Sequence, residues 1–293
     1  MQPGFLISVG LPIAIGIIMC GIGLHLTAAD FRRVTEFPRS VLVGVAGHYL
    51  LLPALGFVTA WLFRLPPELA VGLVLVAACP SGNIANTMTF LARGNVALAV
   101  CLSVISALVT FISIPLFVGL ASEAFMGEER AVRVPVLETV KHLAGILLLP
   151  IVAGMLVRDR LPRVAAAVQP WVSRFAVLML VVLILGIVFT QGDALGAAAL
   201  QAGPAALALC CAAIGGGWVL GRLARLPPRD VITVSLEVGV QNAALAILIA
   251  LSVLDAAQMA IPGALYGGLM YLPAVVVVAI GRRRARAAAA AAT

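Results

Sequence analysis

Charge is scarce in this sequence. Of 293 residues only 11% are charged and 6% aromatic, while 63% are hydrophobic. A soluble domain carries about 25% charged and about 45–50% apolar residues. Too few polar side chains remain to cover a water-soluble surface. The scarcity excludes a soluble globular domain, and the apolar excess excludes a disordered or collagen-like chain. The five cysteines, Cys20, Cys79, Cys101, Cys210 and Cys211, all lie in apolar runs, with no CxxC and no paired histidines. A disulfide scaffold is thereby excluded, and the thiols read as small apolar side chains. The opening Met-Gln-Pro-Gly lacks the basic stretch of a secretory signal peptide, and the apolar run after it is long enough to span a bilayer. What the sequence does contain is apolar runs unbroken for about twenty residues, with a mean hydropathy of +1.16. Barrel strands would alternate, so these runs predict membrane helices.

Charged and Pro/Gly-rich breaks divide the chain into nine candidate spans, near residues 5–26, 40–63, 69–92, 95–120, 137–157, 171–190, 197–221, 231–254 and 259–280. Alternate connections hold Arg32, Arg33 and Arg39; Arg93; Arg158, Arg160 and Arg163; Arg222, Arg225 and Arg229; and Arg282, Arg283, Arg284 and Arg286. The opposite set holds little beyond Arg64, Arg130 and Arg133, offset by Glu123, Glu128 and Glu129. Cytoplasmic loops carry the Arg excess. The bias predicts a multi-pass inner-membrane protein with its N-terminus outside, on the periplasmic side, and its C-terminus cytoplasmic. The net charge of +7 is therefore read as a mark of topology and of contact with anionic lipid headgroups. Nucleic acid is not an expected partner, although the Arg-rich end with its alanine tail is a candidate lipid- or RNA-contacting arm.

Arg64-Leu65-Pro66-Pro67 precedes the third span and Arg225-Leu226-Pro227-Pro228 the eighth. Both spans are then interrupted by polar and Gly residues at mid-membrane. In the third these are Pro80-Ser81-Gly82-Asn83 with Asn86 beyond, and in the eighth Glu237-Val238-Gly239-Val240-Gln241-Asn242. Spans five apart cross in opposite directions. Interrupted spans at corresponding places predict an inverted-topology repeat. Pairing each span with the one five later leaves the fifth without a partner, as in a five-plus-five ancestor lacking its N-terminal helix.

Of the acidic residues only Glu237 lies well within a span. An ionisable group at that depth is costly and a functional candidate by default. Gln241 shares its face one turn on if the helix is regular. Unwinding would free carbonyls such as those of Val238 and Val240, and such an oxygen set suits a hard cation such as Na⁺. The alternative is a protonated Glu237 acting as structural glue. In the third span, a break at Pro80-Ser81-Gly82 would expose N–H groups that favour anions. Asn83 and Asn86 are therefore candidates for a carboxylate substrate and its neighbourhood. His48 is either a packing group or a proton carrier, and His25 and Tyr271 are weaker candidates.

The stretch Ala78-Cys79-Pro80-Ser81-Gly82-Asn83-Ile84-Ala85-Asn86, running on through Phe90-Leu91-Ala92-Arg93-Gly94-Asn95-Val96-Ala97-Leu98, resembles the crossing-helix motif of the bile acid:sodium symporter family. Glu237 to Asn242 resembles its partner, and Gly16 to Leu24 looks like the family's second helix. The resemblance implies an all-α polytopic fold of nine transmembrane helices, in the form lacking the first. Its third and eighth spans would be discontinuous and cross at mid-membrane. A core domain (40–120 and 197–280) would move against a panel domain (5–26 and 137–190).

The resemblance also implies ligands. One sodium site would use Glu237, Val238, Val240 and Gln241, with His48 standing where the family has Gln. The other would use Asn86, Glu237 and Ser103, but Ala85 and Ala99 stand where the family has hydroxyls. Alanine offers no side-chain oxygen, so this second site reads as degraded. Substrate contacts fall to Asn83 and Asn242, with Ser81 and Gly82 behind them, and Tyr271 in the ninth span.

The expected function is secondary active transport of small organic anions, bile acid-like, pantoate-like or keto acids, by alternating access coupled to Na⁺. No cofactor is expected beyond the coupling ion, and the oligomeric state is left open. The alternatives are proton-coupled transport through Glu237 and His48, uncoupled transport, arsenite-type efflux using Cys79, or a membrane enzyme with Glu237 and His48 as acid and base.

Overall fold

The computed structural model describes residues 10–24, 27, 34–127, 141 and 143–290. His25, Arg32, Arg33, Arg130, Arg133, Glu128 and Glu129 lie outside them, as does the start of the fifth predicted span. Among the described residues the regular structure is helical, and the one strand-like feature is a single bridge between Ser81 and Gln241.

Helix α1 spans Leu11–Gly23, and α2 (Pro38–Ala46) and α3 (Leu52–Leu62) are joined by one widened turn, Gly47–Leu51. Pro53 causes that turn. It has no N–H for the carbonyl one turn back, and its ring crowds that carbonyl, so the ladder slips by one residue. The same device recurs where Ala144–Leu148 widens ahead of Pro150 in α7 (Leu149–Arg160). Between them lie α4 (Pro67–Ala78), α5 (Asn83–Leu91) and α6 (Val96–Met126). After α7 come α8 (Pro162–Leu223), α9 (Pro228–Gly239), α10 (Ala243–Ser252), α11 (Ala257–Leu269) and α12 (Tyr271–Ala290).

Among the described residues, five stretches are long and apolar enough to cross a bilayer: Pro38–Leu62, Val96–Met126, Pro162–Leu183, Gly196–Leu223 and Ala257–Ala287. Their outward faces carry bare apolar side chains, including Trp61, Leu42, Leu50 and Leu223, the surface a hydrocarbon solvent requires. Helices α4 and α10 behave differently. Every residue from Leu69 to Ala78 is buried, and so is every residue from Ala243 to Ala250. A helix apolar on all sides belongs in the centre of a large assembly, and these two sit there, α4 packed against α3, α6 and α11, and α10 against α11, α1, α8 and α4 itself.

The sequence predicts separate sixth and seventh spans, 171–190 and 197–221. In the structure the helix is unbroken between them, 62 residues from Pro162 to Leu223. At 1.5 Å per residue that is about 93 Å, three times the thickness of a bilayer core. The cause is compositional. Asp193 ends the hydropathy of the run, but between Pro170 and Pro204 no proline interrupts the hydrogen bonds, and the alanines from 197 to 199 favour helix.

The interrupted spans do break where the sequence expects, after Ala78 and after Gly239. Their surroundings repeat in detail. Arg64 and Arg225 both adopt the left-handed region, with φ of 50° and 52°. Leu65 N–H donates to the Ala60 carbonyl and Leu226 N–H to that of Gly221, at 3.1 and 3.0 Å. Pro66 and Pro227 follow with φ and ψ of −51°, 147° and −52°, 145°. The turns that end α5 and α10 likewise share a left-handed residue, Arg93 (φ 57°) and Asp255 (φ 49°).

Candidate cation and substrate site

Each break must find partners for the backbone groups it frees, because no water is at hand in hydrocarbon. The two breaks serve each other. Gly82 N–H donates to the Val240 carbonyl and Asn242 N–H to that of Pro80, at 3.4 and 2.9 Å, on either side of the Ser81–Gln241 bridge. Side chains take others. Ser113 Oγ donates to the Ala78 carbonyl (3.0 Å), His48 Nε2 to that of Cys79 (3.0 Å) and Tyr266 OH to that of Gly239 (2.8 Å). Asn242 Oδ1 accepts from Leu245 N–H and so caps α10.

Glu237, on the last turn of α9, is 2% exposed. Its Oε2 accepts from Ser81 Oγ at 2.7 Å and from Ser103 Oγ at 3.1 Å. Ser106 Oγ lies 3.2 Å from Ser81 Oγ, and Asn86 Nδ2 donates to Ser103 Oγ at 3.2 Å. A carboxylate, three hydroxyls and an amide thus form one buried network. It is incomplete. Glu237 Oε1, Asn86 Oδ1 and Gln241 Oε1 are buried with no hydrogen-bond partner, three of five such side-chain atoms among the described residues. Leaving a buried acceptor unpaired costs about 1–3 kcal/mol, more for a charged group. All three are oxygens that a hard cation would take.

The carbonyls expected as cation ligands are occupied. Val238 O accepts from Gln241 Nε2 at 2.8 Å, and Val240 O accepts from Gly82 N–H. Each retains one lone pair. His48 Nε2 faces a carbonyl, which can only accept, so this nitrogen carries the proton and cannot bind a cation. Cys79 is wholly buried at the end of the same broken helix.

A cavity of about 380 Å³ opens beside the breaks. Gly82, Asn83, Asn86, Gln241 and Asn242 line one side of it, and Ile22 of α1 and Ser173 of α8 line the other. Two expected substrate residues are not on its wall. Ser81 turns its hydroxyl to Glu237 instead, and Met270 takes the place expected of Tyr271.

The sequence model of the sodium bile acid symporter family matches residues 12–198. The chain belongs to this family. It is 34% identical over 244 residues to a Bacillus subtilis protein named an uncharacterized sodium-dependent transporter, covering 82% of this chain and 73% of that protein. A probable chloroplastic sodium/metabolite cotransporter of Arabidopsis thaliana is 28% identical over 276 residues, 93% of this chain and 67% of its own. Human sodium/bile acid cotransporter 4 is 29% identical over 242 residues, covering 80% of this chain and 54% of that protein. The chain thus spans from about half to three quarters of the length of these relatives, and it is a multi-pass membrane protein of a sodium-dependent transporter family.

Two polar side chains that support the breaks and their network, Ser106 and Tyr266, escape a reading of the sequence. Ser106 belongs to a stripe on α6, Ser103, Ser106, Thr110 and Ser113, all buried. Their spacing of three and four residues puts them on one helix face, and that periodicity is the signal that could have found them. Tyr266 has no such signal, since it stands in an apolar run whose facing is set only by packing.

Proposed function

We propose that the protein is a secondary active transporter that moves small organic anions together with Na⁺ by alternating access. The carrying observation is Glu237, a buried carboxylate with one oxygen unpaired, at the meeting of two helix breaks. The bilayer is crossed nine times, with the N-terminus outside, and the third and eighth spans cross each other as halves of an inverted repeat. The matching turns at Arg64 and Arg225 support that repeat. The core (40–120 and 197–280) carries both breaks, and the panel (5–26 and 137–190) rocks against it. The cavity supports this division, because its walls come from both parts.

Substrate lies in the cavity with its carboxylate toward Asn83 and Asn242. Na⁺ is held by the free oxygens of Glu237, Gln241 and Asn86. Ala85 and Ala99 supply no ligand, so a single Na⁺ per cycle is the proposed stoichiometry. His48 donates to Cys79 O and not to the Glu237 carboxylate, which favours Na⁺ over a Glu–His proton relay. The relatives' names favour transport over catalysis.

The test is uptake of labelled pantoate, a keto acid and taurocholate into proteoliposomes under an imposed Na⁺ or H⁺ gradient. Uptake driven by Na⁺ with a Hill coefficient near one supports the proposal. Uptake driven by H⁺ alone, or cooperative in Na⁺, overturns it.

A further inference from the structure

A second, larger cavity, of about 830 Å³, lies away from the breaks. Its cationic wall is Arg93, Arg229, Arg282, Arg284 and Arg286, drawn from three separate parts of the chain. Arg93 stands in the turn after α5, Arg229 in the first turn of α9, and the other three on α12. The apolar wall includes Phe90, Leu91 and Ile232. No acidic side chain lines it. Asp230, next to Arg229 in sequence, turns inward, where it accepts from Ser40 Oγ at 2.6 Å and Asn95 Nδ2 at 2.9 Å.

The cavity is built and held open. A Cβ on Gly281 would run into the Ala92 carbonyl, so α12 approaches the end of α5 as closely as backbones allow. Arg282 Nε donates to the Leu91 carbonyl at 3.0 Å and Arg229 Nε to the Arg93 carbonyl at 3.2 Å. Arg284 stacks over Trp218, 5.0 Å from the ring centroid. These contacts fix the arginines while using one donor of five on Arg282 and on Arg229. Five guanidinium groups in one cavity repel one another, and an anion relieves that. Planar forks of N–H donors fit phosphate oxygens in pairs.

We infer that this cavity binds the phosphodiester headgroup of an anionic membrane lipid, with acyl chains against Phe90, Leu91 and Ile232. The apolar wall selects a lipid over a free phosphate, which would gain nothing from it. Five arginines exceed the needs of one phosphate, so a lipid with two phosphodiesters binds best, as basic pockets between membrane helices do with cardiolipin. Bound there, the headgroup ties α12 to the end of α5 and the start of α9, the outer ends of both broken helices.

The test is thermal unfolding of the purified full-length protein in a neutral detergent, titrated with cardiolipin, phosphatidylglycerol, phosphatidylcholine or inorganic phosphate. Cardiolipin should raise the midpoint most, phosphatidylglycerol less, and phosphatidylcholine not at all. Inorganic phosphate at equal phosphorus should give under a quarter of the cardiolipin shift. Arg93→Gln with Arg286→Gln removes two guanidinium groups that, unlike those of Arg229, Arg282 and Arg284, make no hydrogen bond or ring contact among the described residues. That variant should unfold like the parent without lipid, bind cardiolipin at least tenfold more weakly, and retain fewer lipids in native mass spectrometry. Arg160→Gln with Arg163→Gln, on the exposed end of α7 and start of α8, should change neither. Equal shifts with phosphatidylcholine, a full shift with inorganic phosphate, or an unaltered response in the first variant would overturn the assignment.

Discussion

Ser81 and Glu237, 156 residues apart, share a hydrogen bond of 2.7 Å from the serine hydroxyl to carboxylate Oε2. The bond joins the break between α4 and α5 to the last turn of α9. It leaves Oε1 free while Oε2 is held by Ser81 and Ser103. A carboxylate with one oxygen anchored is oriented before a cation arrives, which lowers the ordering cost of binding.

Glu237→Gln should abolish Na⁺-driven uptake and the thermal shift produced by Na⁺. It should leave stability within about 1 kcal/mol, because the amide oxygen still accepts from both serines. Ser81→Ala removes one hydrogen bond to a charged group, about 1.5–3 kcal/mol, and should weaken apparent Na⁺ affinity at least tenfold. An Na⁺ response intact in Glu237→Gln would remove the carboxylate from the mechanism.

The positions of both breaks and of Glu237 are legible in the sequence because polar residues are conspicuous inside apolar runs. The direction of Ser81 is not legible. In a break of a few residues, rotation is set by the partner backbone, here the bridge to Gln241, and not by helical period. The hydroxyls of α6 are hidden for another reason: Ser and Thr in membrane helices commonly bond the preceding turn, as Thr110 does to the Ser106 carbonyl at 2.7 Å. Asp193 reads as the end of a span, yet a polar residue ends hydropathy without ending a helix.

Asn83 and Asn242 both face the cavity but differ in what else they do. Asn83 makes no hydrogen bond with its side chain among the described residues, and it is exposed there. Asn242 also caps α10. Asn83→Ala should raise the KM for substrate with the unfolding midpoint unchanged. Asn242→Ala should raise KM and also lose about 1 kcal/mol of stability. A common fall in stability for both would show that neither effect is read through substrate.

Nine crossings require the chain to reverse direction between Leu183 and Gly196, where the structure instead carries α8 through as one continuous helix. In a cysteine-free background, Asp193→Cys should react with a membrane-impermeant maleimide from the periplasmic side, and Arg160→Cys and Arg225→Cys only after permeabilisation. Labelling of all three from one side would reject the nine-span topology, since α8 would then fail to cross twice.

Gly23 of α1 and Gly154 of α7 meet face to face. A Cβ on Gly23 would run into the Ile151 carbonyl, and one on Gly154 into that of Cys20. Gly154→Ala should therefore cost about 1–3 kcal/mol, the usual penalty of overpacking. Gly16→Ala, whose Cβ would stand 3.8 Å from Pro150 Cγ, should be near neutral. The double substitution of Gly23 and Gly154 should cost less than the sum, because one displacement of the helices relieves both clashes.

Two of the left-handed arginines, Arg64 and Arg225, offer a test of the repeat itself. Arg64 and Arg225 are exposed, and each precedes a buried leucine, Leu65 or Leu226, and a Pro-Pro pair. An L-residue held in the left-handed region costs about 1–2 kcal/mol that glycine does not incur. Glycine's extra freedom in the unfolded chain offsets part of that gain. Arg64→Gly and Arg225→Gly should each raise stability by up to about 1 kcal/mol, by the same amount within error, when unfolding midpoints are compared in one detergent. Equal effects follow if the two turns are one local structure used twice, because the strain relieved is then the same. Opposite signs would mean that tertiary surroundings, and not the shared turn, hold these arginines in place.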